Sequence, residues 1–304
     1  MSLRIGTRGS ALALAQATAV ADLLGGGRVV DIPTAGDRGE RAGDKSRWVA
    51  ELERALLDGE VDVAVHSAKD VPGELADGLV IAAVPERADA RDAVVGVESL
   101  DELRPGAVVG TSSLRRASQL RAARPDLDVV AMRGNVDTRL RKLAEGEWDA
   151  IVLALAGLER LGRIVETRPA LVVRTLEQQT SPGLVLDPGV FVPAPGQGAL
   201  AVEAKAGEEA TVAWIDDAPS HARLRAERAL TAALDATCHT PVGAHAEGRD
   251  GHLALTAFAG LPDGSAWIRD TLEGEDPEAL GQEVASRMLA AGAGDILRKA
   301  EAVA

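Results

Sequence analysis

Three kinds of residue in this sequence could do chemistry. The first is a lone thiol: Cys238, in "LDATCHTPVGAH", is the only cysteine of the chain. One cysteine excludes an internal disulfide and a multi-cysteine metal site, and no metal is expected. Alone it reads two ways, as an inert small residue or as a catalytic or attachment thiol in a polar break. The second is a carboxylate, Asp70 of "VHSAKDVP". It follows an apolar run and precedes Pro72, so it is either a turn former or an acid–base group set at a strand end. His66 in the same stretch reads as structural rather than as a base or ligand. The third is a concentration of arginine. Residues 104–142 hold eight arginines and one lysine against three aspartates, in a chain of net charge −14. A basic stretch in an acidic protein points to a local anionic ligand. The overall charge argues against a general nucleic-acid binder, and so does the lack of aromatic interleaving, with no tyrosine and two phenylalanines.

The elements around these residues alternate between strand and helix. "LRI", "GTRGS" and "ALALAQATAVADLL" read as strand, tight turn and helix, with Ser10 as N-cap. "AVVGTSSLRRASQLRAARPD" repeats that unit about a hundred residues on, which suggests two lobes built alike. "WVAELERALLDG" reads as an amphipathic helix, "VDVAVHSAKDVP" as strand into loop, "VDTRLRKLAEG" as helix and "WDAIVLALAGLERLG" as strand then loop. Pro182, Pro188, Pro193 and Pro195 mark an irregular region. After "GALAVEAK" the character changes to a long helix, a strand-rich segment with a turn at Pro262-Asp263-Gly264, and a final helix, "PEALGQEVASRMLAAG". The expected fold class is α/β, with a C-terminal α+β domain. The expected domains are lobe 1 over 1–85 with 198–216, lobe 2 over 86–197, and a third over 217–304. No apolar run approaches the roughly 20 residues that span a bilayer. "MSLRIGTRGS" lacks the pattern of a signal peptide, so a cytoplasmic location is expected.

In open α/β sheets ligands bind beyond the carboxyl ends of the strands. That rule gathers Thr7, Arg8 and Ser10, then His66, Ser67, Lys69 and Asp70, in lobe 1. In lobe 2 it gathers Thr111, Ser112, Ser113, Arg115 and Arg116, then Arg133 and Arg160. Helix starts at the Gly-Thr/Ser turns favour anions, and arginine forks suit carboxylates. Arg115 and Arg116 stand at a helix start, where the dipole disfavours cations, which argues for a functional reason. Arg121, Arg124, Arg141 and Lys142 read as solvated surface. The physical expectation is a two-lobed cleft lined for a polyanion.

Six stretches in this order, "RIGTRGSALALAQ", "VHSAKDVP", "GTSSLRRASQL", "RGNVDTRLRKL", "APGQGALAVE" and "TCHTPVGAHA", resemble the hydroxymethylbilane synthase (porphobilinogen deaminase) family over nearly the whole chain. The resemblance implies two periplasmic-binding-protein-like lobes plus a third domain, and a monomer acting in porphyrin and heme biosynthesis. It implies condensation of four porphobilinogen molecules, head to tail, into the linear tetrapyrrole hydroxymethylbilane with release of four ammonias. A dipyrromethane cofactor primes the chain through a thioether at the position of Cys238, and Asp70 matches the catalytic carboxylate. By motif position, Arg8, Ser10, Lys69, Ser113, Arg115, Arg116, Arg133, Arg139, Arg160 and Gln197 would bind substrate or growing polypyrrole. Lys69, Asp70, Arg115 and Arg116 would also hold the cofactor.

The sequence departs from the family pattern in places. Ala236, Thr237 and His239 stand where paired glycines and a glutamine are usual. In "GDKSRWVAELE", Lys45 matches a basic position, while Ala50 replaces a common lysine and Trp48 a common phenylalanine. The stretch between Arg160 and Gln197 is longer than usual for the family, and "EQQTSPGLVLDPGVF" within it reads as an inserted surface loop. The rival reading is a non-catalytic two-lobed binding protein for a carboxylated ligand, which fold alone does not exclude. That reading gives no reason for Asp70 and Cys238 to occupy their motif positions.

Overall fold

The structure is a computed structural model that describes residues 2–33, 46–167, 170–237 and 240–302. The chain opens with β1 (Arg4–Thr7), α1 (Ala11–Leu23), β2 (Arg28–Asp31), α2 (Ser46–Leu57), β3 (Val63–Ser67) and β4 (Leu79–Ala83). It then crosses to β5 (Asp92–Val95), β6 (Val108–Gly110), α3 (Leu114–Ala123), β7 (Asp128–Val130), α4 (Val136–Ala144) and β8 (Ala150–Ala154). A short α5 (Leu155–Arg160) leads to β9 (Ile164–Glu166), β10 (Leu171–Leu176) and β11 (Gln179–Val185). The chain returns as β12 (Leu200–Lys205). It ends with α6 (Ala218–Ala233), β13 (Val242–Arg249), β14 (His252–Gly260), β15 (Trp267–Gly274), α7 (Pro277–Ala290) and α8 (Ala293–Glu301).

Among the described residues the strands form three sheets: β2-β1-β3-β12-β4, β7-β6-β8-β5-β11-β10-β9 and β13-β14-β15. In the first sheet β1 runs parallel to β2 and β3, and β12 is antiparallel to β3 and β4. In the second, β6 is parallel to β7 and β8, and β5 and β11 are antiparallel neighbours. The α/β class with two lobes and a third, antiparallel α+β unit is therefore the observed architecture. Each sheet has its own core. Ile5, Val20, Val63 and Val202 pack one face of the first sheet. Val94, Val109, Leu120 and Val152 pack one face of the second, with Ile151, Leu153, Leu140 and Leu158 on the other. In the third, Leu230 of α6 and Val284 of α7 cover Ala244, Leu255 and Ala257.

Several expectations are corrected. Part of the stretch read as irregular and as an inserted surface loop is β11, the second strand of the β10–β11 hairpin, which pairs with β5 through Gly183–Val95, Leu184–Val94 and Val185–Ala93; residues 186–198 carry neither helix nor strand, as expected. Pro182 is tolerated because it sits where that pairing ends, needs no N–H there, and accepts from Gly96 N–H at 2.9 Å. "LAGLER" is helical rather than loop. α7 is not the final helix: Gly292, at φ 103°, turns the chain into α8, whose Ala293, Leu297 and Ala300 are buried. Arg121 and Arg124 are not solvated surface either. Arg121 donates to Pro262 O at 2.7 Å, and Arg124 donates to the carbonyls of Leu100 and Leu103. Their stems lie along the lobe and the fork caps loose backbone acceptors. Arg141, by contrast, is an exposed partner of Glu145.

Candidate functional site

The two lobes meet at the segments that cross between them, and the site lies there. On lobe 1, β1 ends at Thr7 and delivers Arg8 and Ser10 to the start of α1. Ser10 Oγ accepts from Ala13 N–H at 3.2 Å and caps the helix. β3 ends at Ser67, and a single 3-10 turn, Ala68–Asp70, follows. That turn is pinned on its inner side by Ala68 N–H donating to Ala199 O at 3.0 Å. Ser67 exchanges hydrogen bonds with Gln16 of α1. A recess of about 460 Å³ is lined by Arg8, Ser10, Gln16, His66, Ser67 and Asp70, among others. His66 itself is held inward: its Nε2 lies 3.0 Å from Glu203 Oε2 of β12, both side chains buried.

A second recess, about 520 Å³, shares Leu12, Gln16 and Ser67 with the first and is walled by both lobes. Its basic lining is Lys69, Arg116, Arg139 and Arg160. Arg139 of α4 donates to Ser112 Oγ at 3.1 Å, while its Nε is buried with no hydrogen-bond partner among the described residues. Burial, and then the charge of Arg116, push the Arg139 guanidinium below its ordinary pKa. Arg160 donates to Gly198 O at 2.6 Å, and burial lowers it as well. Cations that are desolvated and incompletely partnered in this way favour an incoming carboxylate.

The floor is a buried charge cluster that sequence reasoning missed. Asp92, at the start of β5, is 0% exposed. Arg116 Nη2 lies 2.6 Å from Asp92 Oδ1, and Arg115 Nη2 lies 2.8 Å from Oδ2. Gln197 donates to Asp92 Oδ1 at 2.8 Å and accepts, more loosely, from Lys69 and Arg116 at 3.4 Å. Burial alone would raise the Asp92 carboxyl, but Arg115 and Arg116 hold it well below the usual carboxylate range. The glycines flanking Gln197 are there for space. Gly196 has φ 69°, and a Cβ on it would come within 2.9 Å of Ala68 C and Lys69 N. Gly198 has φ 87°, and its Cβ would strike the Ala88 carbonyl. The returning chain thus passes flush against the turn that carries Lys69 and Asp70.

Of the residues singled out from sequence, Arg8, Ser10, Lys69, Asp70, Arg116, Arg139 and Arg160 line the two recesses. Ser113 caps α3 by accepting from Arg116 N–H. Arg115 faces inward, 3% exposed, donating to Val192 O at 2.6 Å with its guanidinium over the Phe191 ring. Arg133 is exposed and lines neither recess. Gln197 is buried at the crossing. Cys238 and His239 lie outside the described residues, as does Lys45, and the Trp48 side chain is likewise not described. Gln16 was missed because a polar residue inside an Ala-rich helix gives no signal of its own. Asp92 did leave one: a charge opening the apolar run "DAVV".

Among the described residues no group of three or more His, Cys, Asp and Glu could hold a metal ion, and no helix is long and apolar enough to cross a membrane. Residues 3–213 match the family described as "Porphobilinogen deaminase, dipyromethane cofactor binding domain", and residues 221–290 match "Porphobilinogen deaminase, C-terminal domain". The porphobilinogen deaminase of Brevibacillus brevis is 45% identical over 97% of this chain and 96% of its own length. Those of Deinococcus radiodurans (44% identical, 97% of this chain and 98% of its own length) and Thermus thermophilus (45%, 96% and 97%) are similarly close. Among solved structures, immunogenic lipoprotein A from Vibrio vulnificus covers 70% of this chain and 94% of its own at 12% identity and a TM-score of 0.39, a likeness too slight to carry an argument. Full-length similarity at this level, two family matches that together span nearly all of the chain, and a cleft with a basic wall agree: the chain belongs to the porphobilinogen deaminase family.

Proposed function

We propose that the cleft between the lobes is where this hydroxymethylbilane synthase condenses four porphobilinogen molecules head to tail, releasing four ammonias. The observation that carries the reading is the juxtaposition of one carboxylate, Asp70, with the basic wall of Lys69, Arg116, Arg139 and Arg160 across adjoining recesses. Each substrate brings an acetate and a propionate, so the growing product is a polyanion. Arg139 and Arg160 supply charge-assisted hydrogen bonds to those carboxylates, about 1.5–3 kcal/mol each. Arg8 and Ser10 do the same from lobe 1. Arg115 and Arg116 shape the floor through Asp92, with Arg116 also presented to the cleft. Asp70 stabilises positive charge that develops on a pyrrole nitrogen and holds the proton in transit.

The dipyrromethane fits this lining, because a buried Arg139 Nε with no hydrogen-bond partner among the described residues and two desolvated guanidiniums suit a carboxylate-rich group. Lys69, Asp70, Arg115 and Arg116 would hold it, with Cys238 as its thioether tether. When bound it supplies a free pyrrole carbon on which the product is extended. Ser113, Arg133 and Gln197 keep the role the motifs imply, binding substrate or the growing polypyrrole. The three sheets support domains over 1–85 with 198–216, 86–197 and 217–304. The protein acts as a cytoplasmic monomer on porphobilinogen and its polymers, without nucleic-acid or membrane partners. A non-catalytic binding protein gives no reason for Asp70 in this turn.

Arg139→Leu tests the wall. It is expected to raise KM for porphobilinogen, or to stall elongation, by about 10-fold or more, from the loss of one charge-assisted contact. Steady-state kinetics together with the distribution of enzyme–substrate masses measure it. Wild-type values on both would remove Arg139 from the site.

A further inference from the structure

Among the described residues, two backbone hydrogen bonds stand at the ends of the loop that leaves Asp70. Val71 N–H reaches back to Ala68 O at 3.2 Å, and Leu79 N–H reaches Ala76 O at 3.1 Å. Two side chains from elsewhere grip the segment between. Glu53 of α2, 9% exposed, accepts from Ala76 N–H at 3.1 Å. Arg228 of α6 donates through Nη2 to Gly73 O at 2.8 Å and through Nη1, at the limit of bonding, to Val71 O at 3.5 Å. Its guanidinium also feels the charge of buried Glu203, the partner of His66. This is one fork holding both ends of the Val71–Gly73 turn, immediately after the carboxylate.

The helix that supplies the fork is itself fixed. Glu227, beside Arg228 and 0% exposed, binds Arg87 bidentately at 2.7 and 3.1 Å. It also accepts from Gly196 N–H at 2.6 Å and Ala246 N–H at 2.8 Å. α6 is thereby locked to the lobe crossing and to β13, and a helix is stiff enough to serve as a fixed mount for the fork.

We propose that Arg228 is a positioning residue for the reaction: it clamps the loop after Asp70 to α6, so that the carboxylate keeps its place at the recess. The inference rests on the reading of Asp70 given above. Arg228 touches no reacting atom. Its effect is on the placement of Asp70, and misplacement of about 1 Å costs on the order of 100-fold in rate.

The test uses the holoenzyme with Arg228→Met, which keeps the length and loses every donor, and Arg228→Lys, which keeps one. Both are expected to carry the cofactor mass on the Cys238 peptide and to keep KM within about twofold. kcat is expected to fall about 10-fold or more in Arg228→Met and to recover in part in Arg228→Lys. Amide hydrogen exchange over 71–76 should quicken in Arg228→Met while the rest of lobe 1 exchanges as before. Wild-type kcat and exchange in Arg228→Met would overturn the proposal. So would equal losses in the two variants, or a rate loss that follows lost cofactor or global unfolding. If Arg228→Met fails to fold, Arg228→Lys decides alone: wild-type kcat refutes the clamp, and reduced kcat at unchanged KM with local fast exchange supports it. Asp70→Asn separates the levels. Should it turn over at the wild-type rate, the reading of Asp70 falls. Should it be inactive while Arg228→Met is normal, only the clamp falls.

Discussion

Asp70→Asn should lower kcat by about 100-fold or more while the protein folds and keeps its cofactor, the scale expected for losing one placed acid–base and charge-stabilising group. The turn Ala68–Asp70 is held by backbone bonds, and the α6 fork holds the Val71–Gly73 segment that follows it. Replacing a carboxylate oxygen by an amide nitrogen therefore leaves the loop in place. What it removes is negative charge at the recess that also holds Arg8 and Ser10. An amide cannot stabilise a pyrrolic cation by charge, nor carry its proton. Steady-state kinetics with porphobilinogen and intact mass of the variant measure the two halves. A variant that keeps near-wild-type turnover would remove Asp70 from the chemistry.

Asp92→Ala should destabilise the protein by about 3–5 kcal/mol, because it strands two buried cations. Arg115 and Arg116 are 3% and 7% exposed and have Asp92 as their shared carboxylate. That cost is a large part of an ordinary net stability of about 5–15 kcal/mol. It corresponds to a melting-temperature loss on the order of 10 °C. The sign of the pH dependence follows from the depressed folded pKa of Asp92. The ionised carboxylate contributes its full stability above the unfolded value, about 3.9, and loses it as pH falls below that toward the folded value. Thermal melts of wild type and Asp92→Asn should therefore be furthest apart near neutral pH and converge in acid. A constant gap from neutral pH down to about pH 3 would mean that the cluster does not work as an ion pair.

Much of the fold was legible because local signals and tertiary structure agree. Ser10 and Ser113 cap the helices expected to follow them, and strand–turn–helix units recur in both lobes. The β10–β11 hairpin was not legible. Pro182 and the polar residues around it mimic a loop, and only pairing with β5 makes the second half a strand. The placement of residues at the cleft was legible where one side chain and its turn suffice, as at Arg8, Lys69 and Asp70. It was read incompletely where the partner is remote in sequence. Arg115 and Arg116 stand out at a helix start, but only the tertiary structure shows that they share the carboxylate of Asp92. Arg228 sits in a helix with many charges, and nothing local marks it as reaching across to Gly73.

The central claim is that this chain builds its product on a dipyrromethane held by Cys238. Intact mass of the purified protein under denaturing conditions, followed by peptide mapping, tests it most directly. The expected result is an added mass equal to one dipyrromethane on the Cys238 peptide, lost in Cys238→Ser. An unmodified chain that stays unmodified after incubation with porphobilinogen would contradict it.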